Sequence, residues 1–472
     1  MTRIIILTLI FASTILSVHG QRSLSLQQCI EIAQENSLKI KQAYLLGENA
    51  KIQEKFARQQ LMPSLNANNS LSYHLGRSIN PTTNSYLAET FISQGINLNT
   101  ALTLFNGFKL KNRIKQAIAD KQASKLEIEQ MKKDIALLVT NMYLAILYTE
   151  ENIANAEAQY KVTKDQLDKM QKLIDAGLQA PAEAINLEAQ LLSEKQKVIT
   201  YQNELKKNYL NLKNILLLED NDNIIIVKPS LDMNKYDMIS KYTFDEIYAT
   251  AIQHYPAYQA SQSKIQSARM GEKIARGSLL PSINLYAALS TNYADKAKKV
   301  TYEPTVKYQN FIIDGQQKEV GIPSLSPVIH EYPYFSQLKD NLGIGVSLQI
   351  NMPIYNKYAV KMQIQNAKIK IESEKLSQEL LLQDLKTKIL NAIADRDAAK
   401  IQYQAAIKTY EARKLAFDNA KERFENGIIS SYDYINARIL MNQAQNNMTL
   451  AKYQYLFKTM ILNFYAKNEL SF

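Results

Sequence analysis

The sequence is poor in the residues that interrupt helices and in those that build disulfide or metal sites. Its 472 residues include 13 glycines, 11 prolines, one cysteine and no tryptophan. Average usage is about 7% glycine and about 5% proline, so both are scarce here. A single cysteine excludes an intrachain disulfide and a cysteine-based metal site. Neither glycine nor proline occurs between Gly107 and Gly177 or between Pro353 and Gly427, which predicts two very long helices.

Motifs of common catalytic and nucleotide sites are also missing. The sequence has no Walker loop, dinucleotide fingerprint, HExxH element or Gly-x-Ser-x-Gly elbow,. Outside the first 20 residues, the histidines His74, His254 and His330 stand apart from one another, and we expect them at the surface or in loops. We therefore expect no enzyme activity, no cofactor and no metal site.

The basic excess does not point to nucleic acid. The formal net charge is +11, and lysine and arginine alternate with acidic and amide residues along the predicted helices. This alternation is typical of a solvated helix face, and no block of like charge stands out. We expect no nucleic-acid partner.

Residues 1–20 have the layout of a secretory signal peptide. Arg3 precedes an apolar run that ends near Leu16, and Gly20 is a small residue at the expected cleavage point. The run is too short to span a bilayer as a helix, and no later run reaches about 18 apolar residues. Cys29 follows two glutamines rather than the small residues of a lipidation site, so we interpret it as an apolar position on a helix. An exported chain of this kind would enter a membrane through β-strands.

The second half of the chain repeats the pattern of the first half. The segment RQQLMPSLN at 58–66 resembles RGSLLPSIN at 276–284, and Gly177 later corresponds to Gly427. A heptad series also recurs, with Ile153, Tyr160, Leu167 and Ile174 corresponding to Tyr403, Tyr410, Phe417 and Phe424,. The wider spacing of the later matches places an insertion within about 294–340. We interpret the chain as an internal duplication.

Each copy is predicted to contain a helix, a β-hairpin, a long helix, a turn and a further helix. Repeat 1 covers 21–218, with helices at 25–61, 108–176 and 182–218 and a hairpin at 63–105. Repeat 2 covers 243–466, with helices at 243–279, 356–426 and 430–466 and a hairpin at 281–355. The linker 219–242 joins the repeats, and 467–472 form a C-terminal tail; we expect both in an equatorial belt. At ~1.5 Å per residue a long helix would extend about 105 Å, close to two short ones end to end, which suggests a layered bundle.

Four segments alternate apolar and polar residues, at 65–75, 92–104, 283–293 and 341–352. Such alternation indicates one dry and one wet face, although a soluble sandwich would also produce it. A length of about 10–13 residues is enough to cross a bilayer when tilted, and with the leader it favours transmembrane strands around an aqueous lumen. Four strands cannot close a barrel, so several chains must share one. The insertion at about 294–340 is rich in Tyr, Lys and Pro and is expected to form a long extracellular loop.

The order of these features resembles the TolC-like outer-membrane efflux protein family over nearly the whole mature chain. The resemblance rests on the leader, the duplicated unit, the LMPSL and LLPSI segments before the strands, and the glycines after the long helices. It implies a mixed α/β membrane protein, a homotrimer whose chains share a twelve-stranded β-barrel in the outer membrane of a Gram-negative bacterium. A long-helix α-barrel would continue it into the periplasm. A periplasmic adaptor and an inner-membrane pump are the implied partners, and passive export through a tripartite efflux or type I secretion system is the implied function.

The turns after the long helices are the candidate functional sites. Gly177 and Gly427 would end the incoming helices. Ser430 and Asp433 fit a capping box, with Glu183 at the corresponding place in the first copy, so one interpretation is that both carboxylates stabilise helix starts.

The resemblance implies a second role for the same turns, a constriction at the closed periplasmic mouth. Asp433 matches the first aspartate of an acidic ring, Asn436 falls where some members carry a second, and Ile429 falls where an arginine helps to lock the closed state. Glu183 and Asn186 hold the equivalent places in the first turn. In three copies, Asp433 and Glu183 would place six carboxylates near one axis, which would favour cations and raise the pKa values of some of these carboxylates by repulsion. Because Asn436 and Ile429 depart from the family pattern, an uncharged or hydrophobic constriction is the alternative to a charge-locked gate.

Two further alternatives stay open. The stripe of Tyr403, Tyr410, Phe417 and Phe424 either packs between helices or docks the adaptor. The same scaffold could serve as a non-conducting envelope spacer or adhesin instead of a duct, although the polar strand faces favour the duct. No motif identifies the exported substrate, the adaptor or the pump.

Overall fold

A computed structural model describes residues 22–79, 81–82, 84–219, 222–228, 243–313 and 315–467. The expected signal peptide at 1–20, most of the linker 219–242 and the tail from residue 468 lie outside the described residues. In chain order, the elements are β1 (Arg22–Leu24), α1 (Leu26–Asn36), α2 (Leu38–Gln59), β2 (Ser64–His74), β3 (Ser78–Ile79), β4 (Tyr86–Leu87), β5 (Phe91–Asn106), α3 (Lys109–Asp175), α4 (Pro181–Leu216), β6 (Ile224–Ile226), α5 (Phe244–His254), α6 (Pro256–Gly277), β7 (Ser282–Ala294), β8 (Lys298–Ile313), β9 (Gln316–Glu331), α7 (Tyr334–Asp340), β10 (Gly343–Asn351), α8 (Ala359–Glu425) and α9 (Ser431–Lys467).

Helices dominate the described residues. The helices α3 and α8 have 67 residues each, which corresponds to about 100 Å at ~1.5 Å per residue. Their interiors contain no glycine or proline, so the backbone meets none of the usual breaks. None of the described helices combines the length and the hydropathy that a membrane-crossing helix needs.

The single helices expected at 25–61 and 243–279 are each divided in two. In the first, Ser37 separates α1 from α2, and its hydroxyl accepts a hydrogen bond from the Ile40 N–H at 3.4 Å. This is the bond of an N-cap, so Ser37 begins a new helix. In the second, α6 begins at Pro256, which has no N–H to donate to the preceding turn.

The chain divides into two compact units. The first consists of the described residues of Met1–Ala50, Asp120–Lys264 and Glu374–Phe472. Its larger core lies between α1, α3, α4 and α9 and includes the buried side chains Cys29, Tyr143, Leu147, Leu212 and Leu456.

The short parallel pair β1–β6 closes one side of this core, with Leu24 opposite Ile226. The Tyr143 hydroxyl donates to the carbonyl oxygens of Val227 and, at 3.4 Å, Leu24. It therefore satisfies backbone acceptors next to both strands. Burial also raises the pKa of the Cys29 thiol to about 12, which keeps that side chain neutral in the core.

The second unit consists of Lys51–Ala119 and Ile265–Ser373, where they are described. It contains an antiparallel sheet with the strand order β10-β7-β5-β2. β2 and β10 are the outer strands, and among the described residues each has one edge without a partner strand. Alternate apolar side chains of these strands are exposed, namely Leu65, Leu71, Tyr73, Ile344, Val346, Leu348 and Ile350.

The long loop expected at about 294–340 is instead a regular hairpin followed by a short helix. The strands β8 and β9 pair over sixteen residues each, from Lys298 opposite Glu331 to Ile313 opposite Gln316. The helix α7 then leads back to β10. The strands pair without interruption through the prolines of this segment. In a two-stranded hairpin, a proline whose missing N–H would point to the outer edge breaks no hydrogen bond between the strands.

Candidate functional site at two helix turns

The turns after α3 and α8 have the same backbone geometry. At the first, the Gly177 N–H donates to the Ile174 carbonyl and the Leu178 N–H to the Leu173 carbonyl, both at 2.8 Å. The equivalent two bonds around Gly427 measure 2.9 and 2.8 Å. Both glycines have a positive φ, +74° and +72°. This is a Schellman motif, and the left-handed φ is the reason that glycine is required.

The two outgoing helices begin differently. α4 begins at Pro181, and the preceding Ala180 has no side chain that caps the helix. At the start of α9, the Ser430 hydroxyl accepts from the Asp433 N–H at 3.2 Å and donates to Asp433 Oδ2 at 2.8 Å. The Asp433 carboxylate thus lies in the first turn of a helix, where negative charge is favourable. This geometry is that of the helix-start interpretation.

The other predicted residues of the turns lie mostly at the surface. Asp433, Asn436 and Asn186 are exposed, and Ile429 is half-buried. Glu183 belongs to α4, and its side chain is outside the described part of the structure. Within that part, no hydrogen bond or ion pair joins Asn186 to Asp433 or Asn436. The constricting ring therefore stays a prediction about several copies of the chain.

The predicted aromatic stripe packs largely within the chain. Phe417 and Phe424 of α8 lie 5.6 and 4.9 Å from the Tyr434 ring of α9, measured between ring centroids. Tyr403 stacks on Tyr455 at 6.3 Å. Tyr410 is half-buried, like the other three stripe residues. These are packing contacts between helices of one chain, and adaptor docking by the stripe stays a prediction.

A buried polar cluster beyond the second turn connects three helices. The Arg438 side chain of α9 is 3% exposed and the Glu194 side chain of α4 is 1% exposed, with 4.0 Å between Nη2 and Oε1. Arg438 donates to Thr163 Oγ1 and Gln166 Oε1 of α3, each at 2.6 Å. Thr163 donates in turn to the Glu194 carboxylate, which also accepts from Gln190 at 2.8 Å. We call these five residues the Arg438 cluster.

The charges of the Arg438 cluster are nearly removed from water. Burial lowers the pKa of Arg438, and the nearby Glu194 carboxylate opposes that shift. The Arg438 Nε atom is buried and has no hydrogen-bond partner in the described structure. Removing one member of such a pair strands the other charge, which costs about 3–5 kcal/mol. The cluster therefore resists separation of α9 from α3 and α4.

A cavity of about 280 Å³ opens beside Glu194. Its lining comes from the same three helices and includes the polar residues Gln159, Lys197, Tyr201, Gln443 and Asn446. Sequence patterns gave no signal for the cluster or the cavity. Thr163, Glu194 and Arg438 are far apart in sequence and each looks like a surface residue of a helix.

The histidines and acidic residues form no metal-binding group among the described residues. His254 and His330 are exposed, as expected. His74 is half-buried in β2 and stacks on Phe91 with 4.4 Å between ring centroids. That position differs from the surface or loop expected for it, because the sheet brings Phe91 of β5 opposite His74.

The chain is similar to a known protein family over most of its length. The model of a family described as outer membrane efflux protein matches residues 29–216 and 247–459. An uncharacterized protein of Haemophilus influenzae is 23% identical over 231 residues, 49% of this chain, which spans about half (48%) of that relative. Outer membrane efflux protein BepC of Brucella suis is 21% identical over 402 residues, 82% of this chain and 75% of BepC.

The fold is similar to that of solved outer membrane channels. The structure of the Campylobacter jejuni CmeC outer membrane channel superposes with a TM-score of 0.73 at 18% identity, covering 93% of this chain and 85% of CmeC. The stretches matched by the family model include both turn glycines and all of the Arg438 cluster.

Proposed function

Because the chain belongs to the outer membrane efflux protein family, we propose that it is the exit duct of a tripartite efflux or type I secretion system. Substrates would pass through it passively, and an inner-membrane pump joined by a periplasmic adaptor would supply the energy. The observation that carries the proposal is the family match in both halves of the chain. Within the described residues, its sheet also has two edges without a partner strand and an exposed apolar face.

The sheet supports a shared barrel in the outer membrane. The open edges of β2 and β10 present unpaired N–H and C=O groups, and closure into a barrel is the arrangement that removes such edges. Exposed Leu65, Leu71, Ile344, Val346 and Leu348 would face lipid, and the alternate polar residues would face the lumen. Three copies would supply twelve strands; that number comes from the family resemblance.

The two helix turns are the proposed periplasmic constriction. Copies of Asp433 arranged around one axis would concentrate negative charge at the mouth and favour cations. Asp433 lies in the first turn of α9, the helix that the Arg438 cluster joins to α3 and α4. The internal duplication is part of the same proposal, since it would bring two similar turns per chain to the mouth.

Single-channel conductance in a planar bilayer tests the proposal. Asp433→Asn removes the charge and keeps an oxygen that can accept the Ser430 hydroxyl. Ser430→Ala removes the cap and keeps the charge, and Asp418→Asn removes an exposed carboxylate of α8. We expect a low, cation-selective wild-type conductance that rises and loses selectivity in Asp433→Asn only.

Each result has a distinct meaning. Equal conductance in all four proteins would keep the duct and leave Asp433 as a helix-start residue. Properly inserted oligomers that conduct in none of the four would contradict the duct and favour a structural spacer.

A further inference from the structure

The β8–β9 hairpin has one apolar face with no partner in the described structure. Its strands extend about 50 Å at ~3.3 Å per residue. On one face, five successive cross-strand pairs carry no charge, and these ten residues are named the apolar hairpin face. They are Val300, Tyr302, Pro304, Val306 and Tyr308 of β8, opposite Ile329, Pro327, Leu325, Pro323 and Gly321 of β9. The opposite face carries Lys299, Glu303, Lys307, Lys318 and His330.

The apolar side chains on this face are open to solvent. Tyr302, Tyr308, Leu325 and Ile329 are 62–68% exposed. The face is continuous as well, because a Cβ at Gly321 would meet Val306 and Tyr308 side chains directly, so these cover the glycine. A contiguous apolar patch of a few hundred Å² is often functional on a protein surface.

The base of the hairpin is attached firmly to the sheet. Gln337 of α7 is 1% exposed, and its side chain donates to the carbonyls of Ala294 and Tyr332 at 3.0 and 2.6 Å. It also accepts from the Ala294 N–H at 2.9 Å. Asp340 pairs with Lys299 at 2.8 Å. The apolar hairpin face therefore points in one direction relative to the sheet.

The edges of the hairpin are poorly suited to pairing with another strand. Pro304, Pro323 and Pro327 occupy positions of the same parity in the ladder. Proline is tolerated in strands where its missing N–H points away from the partner strand, so these residues interrupt the outer edges. A partner would therefore pack on the face.

The size of the face indicates what that partner is. Five residue pairs cover about 300 Å², from ~3.3 Å per residue and a ~10 Å width, whereas a specific interface buries about 800 Å² per partner. The face is too small to hold a separate protein alone. It is large enough to extend an interface that is formed elsewhere.

We propose that the apolar hairpin face packs against the same face of neighbouring copies of this chain. The inference rests on the proposed function, in which copies meet along β2 and β10. The hairpin follows β7 beyond the point where β7 last pairs with β5, at Ala294 opposite Ser93, so it lies past the end of the sheet. If the sheet spans the outer membrane, the face would be in water unless neighbouring hairpins cover it. In a ring of copies the same face of every chain can meet only at the shared axis, so the hairpins would converge there, beyond the outer end of the sheet.

Site-directed cross-linking tests this contact. Leu325→Cys places a thiol on the apolar hairpin face, and Ser324→Cys, one residue away, places it on the opposite face. The native Cys29 is fully buried, so wild type is the blank. Oligomers treated with a short bis-maleimide should give covalent pairs with Leu325→Cys and none with Ser324→Cys or wild type. Tyr302→Cys and Glu303→Cys repeat the comparison on β8.

The native mass of each variant separates this inference from the proposed function. An intact oligomer in which Leu325→Cys and Tyr302→Cys react with a monofunctional maleimide but never cross-link would overturn the hairpin contact and leave the duct standing. A monomeric wild-type chain would overturn both. Protection of Leu325→Cys from maleimide only when lipid vesicles are added would also overturn the contact, since lipid would be the occupant.

Discussion

The Arg438 cluster allows a quantitative test of what holds α9 to α3 and α4. Arg438→Met keeps an unbranched apolar stem in place of the arginine stem and removes the charged guanidinium group. The change deletes two hydrogen bonds of 2.6 Å to Thr163 and Gln166 and leaves the Glu194 carboxylate, 1% exposed, without its cationic neighbour. We expect a loss of about 3–5 kcal/mol in the free energy of unfolding.

The size of the loss follows from both partners being out of water. A charge-assisted hydrogen bond contributes about 1.5–3 kcal/mol. Arg438 and Glu194 lie 4.0 Å apart, and Thr163 is hydrogen-bonded to both of them. The double variant Arg438→Met/Glu194→Gln removes the stranded charge, so it should be more stable than the sum of the two single changes predicts. We expect a coupling free energy of about 1–3 kcal/mol.

Denaturant unfolding followed by helical circular dichroism would measure this cycle. Arg413→Met changes an exposed arginine of α8 and should shift stability by no more than about 0.5 kcal/mol. Strictly additive single changes, or an Arg438→Met protein as stable as Arg413→Met, would refute the reasoning.

Two further predictions concern backbone and core. Gly427→Ala should lower the free energy of unfolding by about 1–2 kcal/mol. Nothing lies within 4 Å of the new Cβ, so the cost would come from the φ of +72° and not from a clash. Gly271→Ala inside α6 should be neutral or stabilising, and equal effects of the two changes would contradict a conformational cause. Tyr143→Phe leaves the carbonyls of Val227 and Leu24 without this donor and should cost about 1–2 kcal/mol at neutral pH by denaturant unfolding. Burial raises the pKa of Tyr143 to about 12. The stabilisation by the neutral hydroxyl is therefore fully present below about pH 10, the ordinary tyrosine pKa, and is lost as the pH rises to about 12. Over that pH interval, wild type should lose more free energy of unfolding than Tyr143→Phe, and identical stability curves for the two proteins would contradict this.

Prediction from sequence worked best where the signal lies within a few residues. The absence of glycine and proline between Gly107 and Gly177 predicted a long helix, and α3 has 67 residues. The glycine, serine and acidic pattern after α8 predicted a helix end and a helix start, and both have the expected bonds at Gly427 and Ser430. These features depend on backbone dihedrals and on bonds that span three to five residues.

Prediction from sequence was weaker where composition and alternation disagreed. The segment at about 294–340 has prolines and polar residues that are typical of loops, yet β8 and β9 form a complete ladder. Pro304, Pro323 and Pro327 are compatible with that ladder only because the hairpin has free edges. Gln337, which fastens its base, looks in sequence like any polar residue of a short helix.

Local backbone preference and periodicity were enough to predict the family scaffold, the places where the long helices end and the alternation of the four sheet strands. Packing of distant segments places β5 beside β7, brings Arg438 to Thr163 and Glu194 and leaves one face of a hairpin apolar and exposed. Sequence patterns miss these features because burial and pairing depend on which distant elements become neighbours. Whether a charged helix residue such as Arg438 is exposed, or is buried and bonded to neighbouring helices, depends on which elements pack against it.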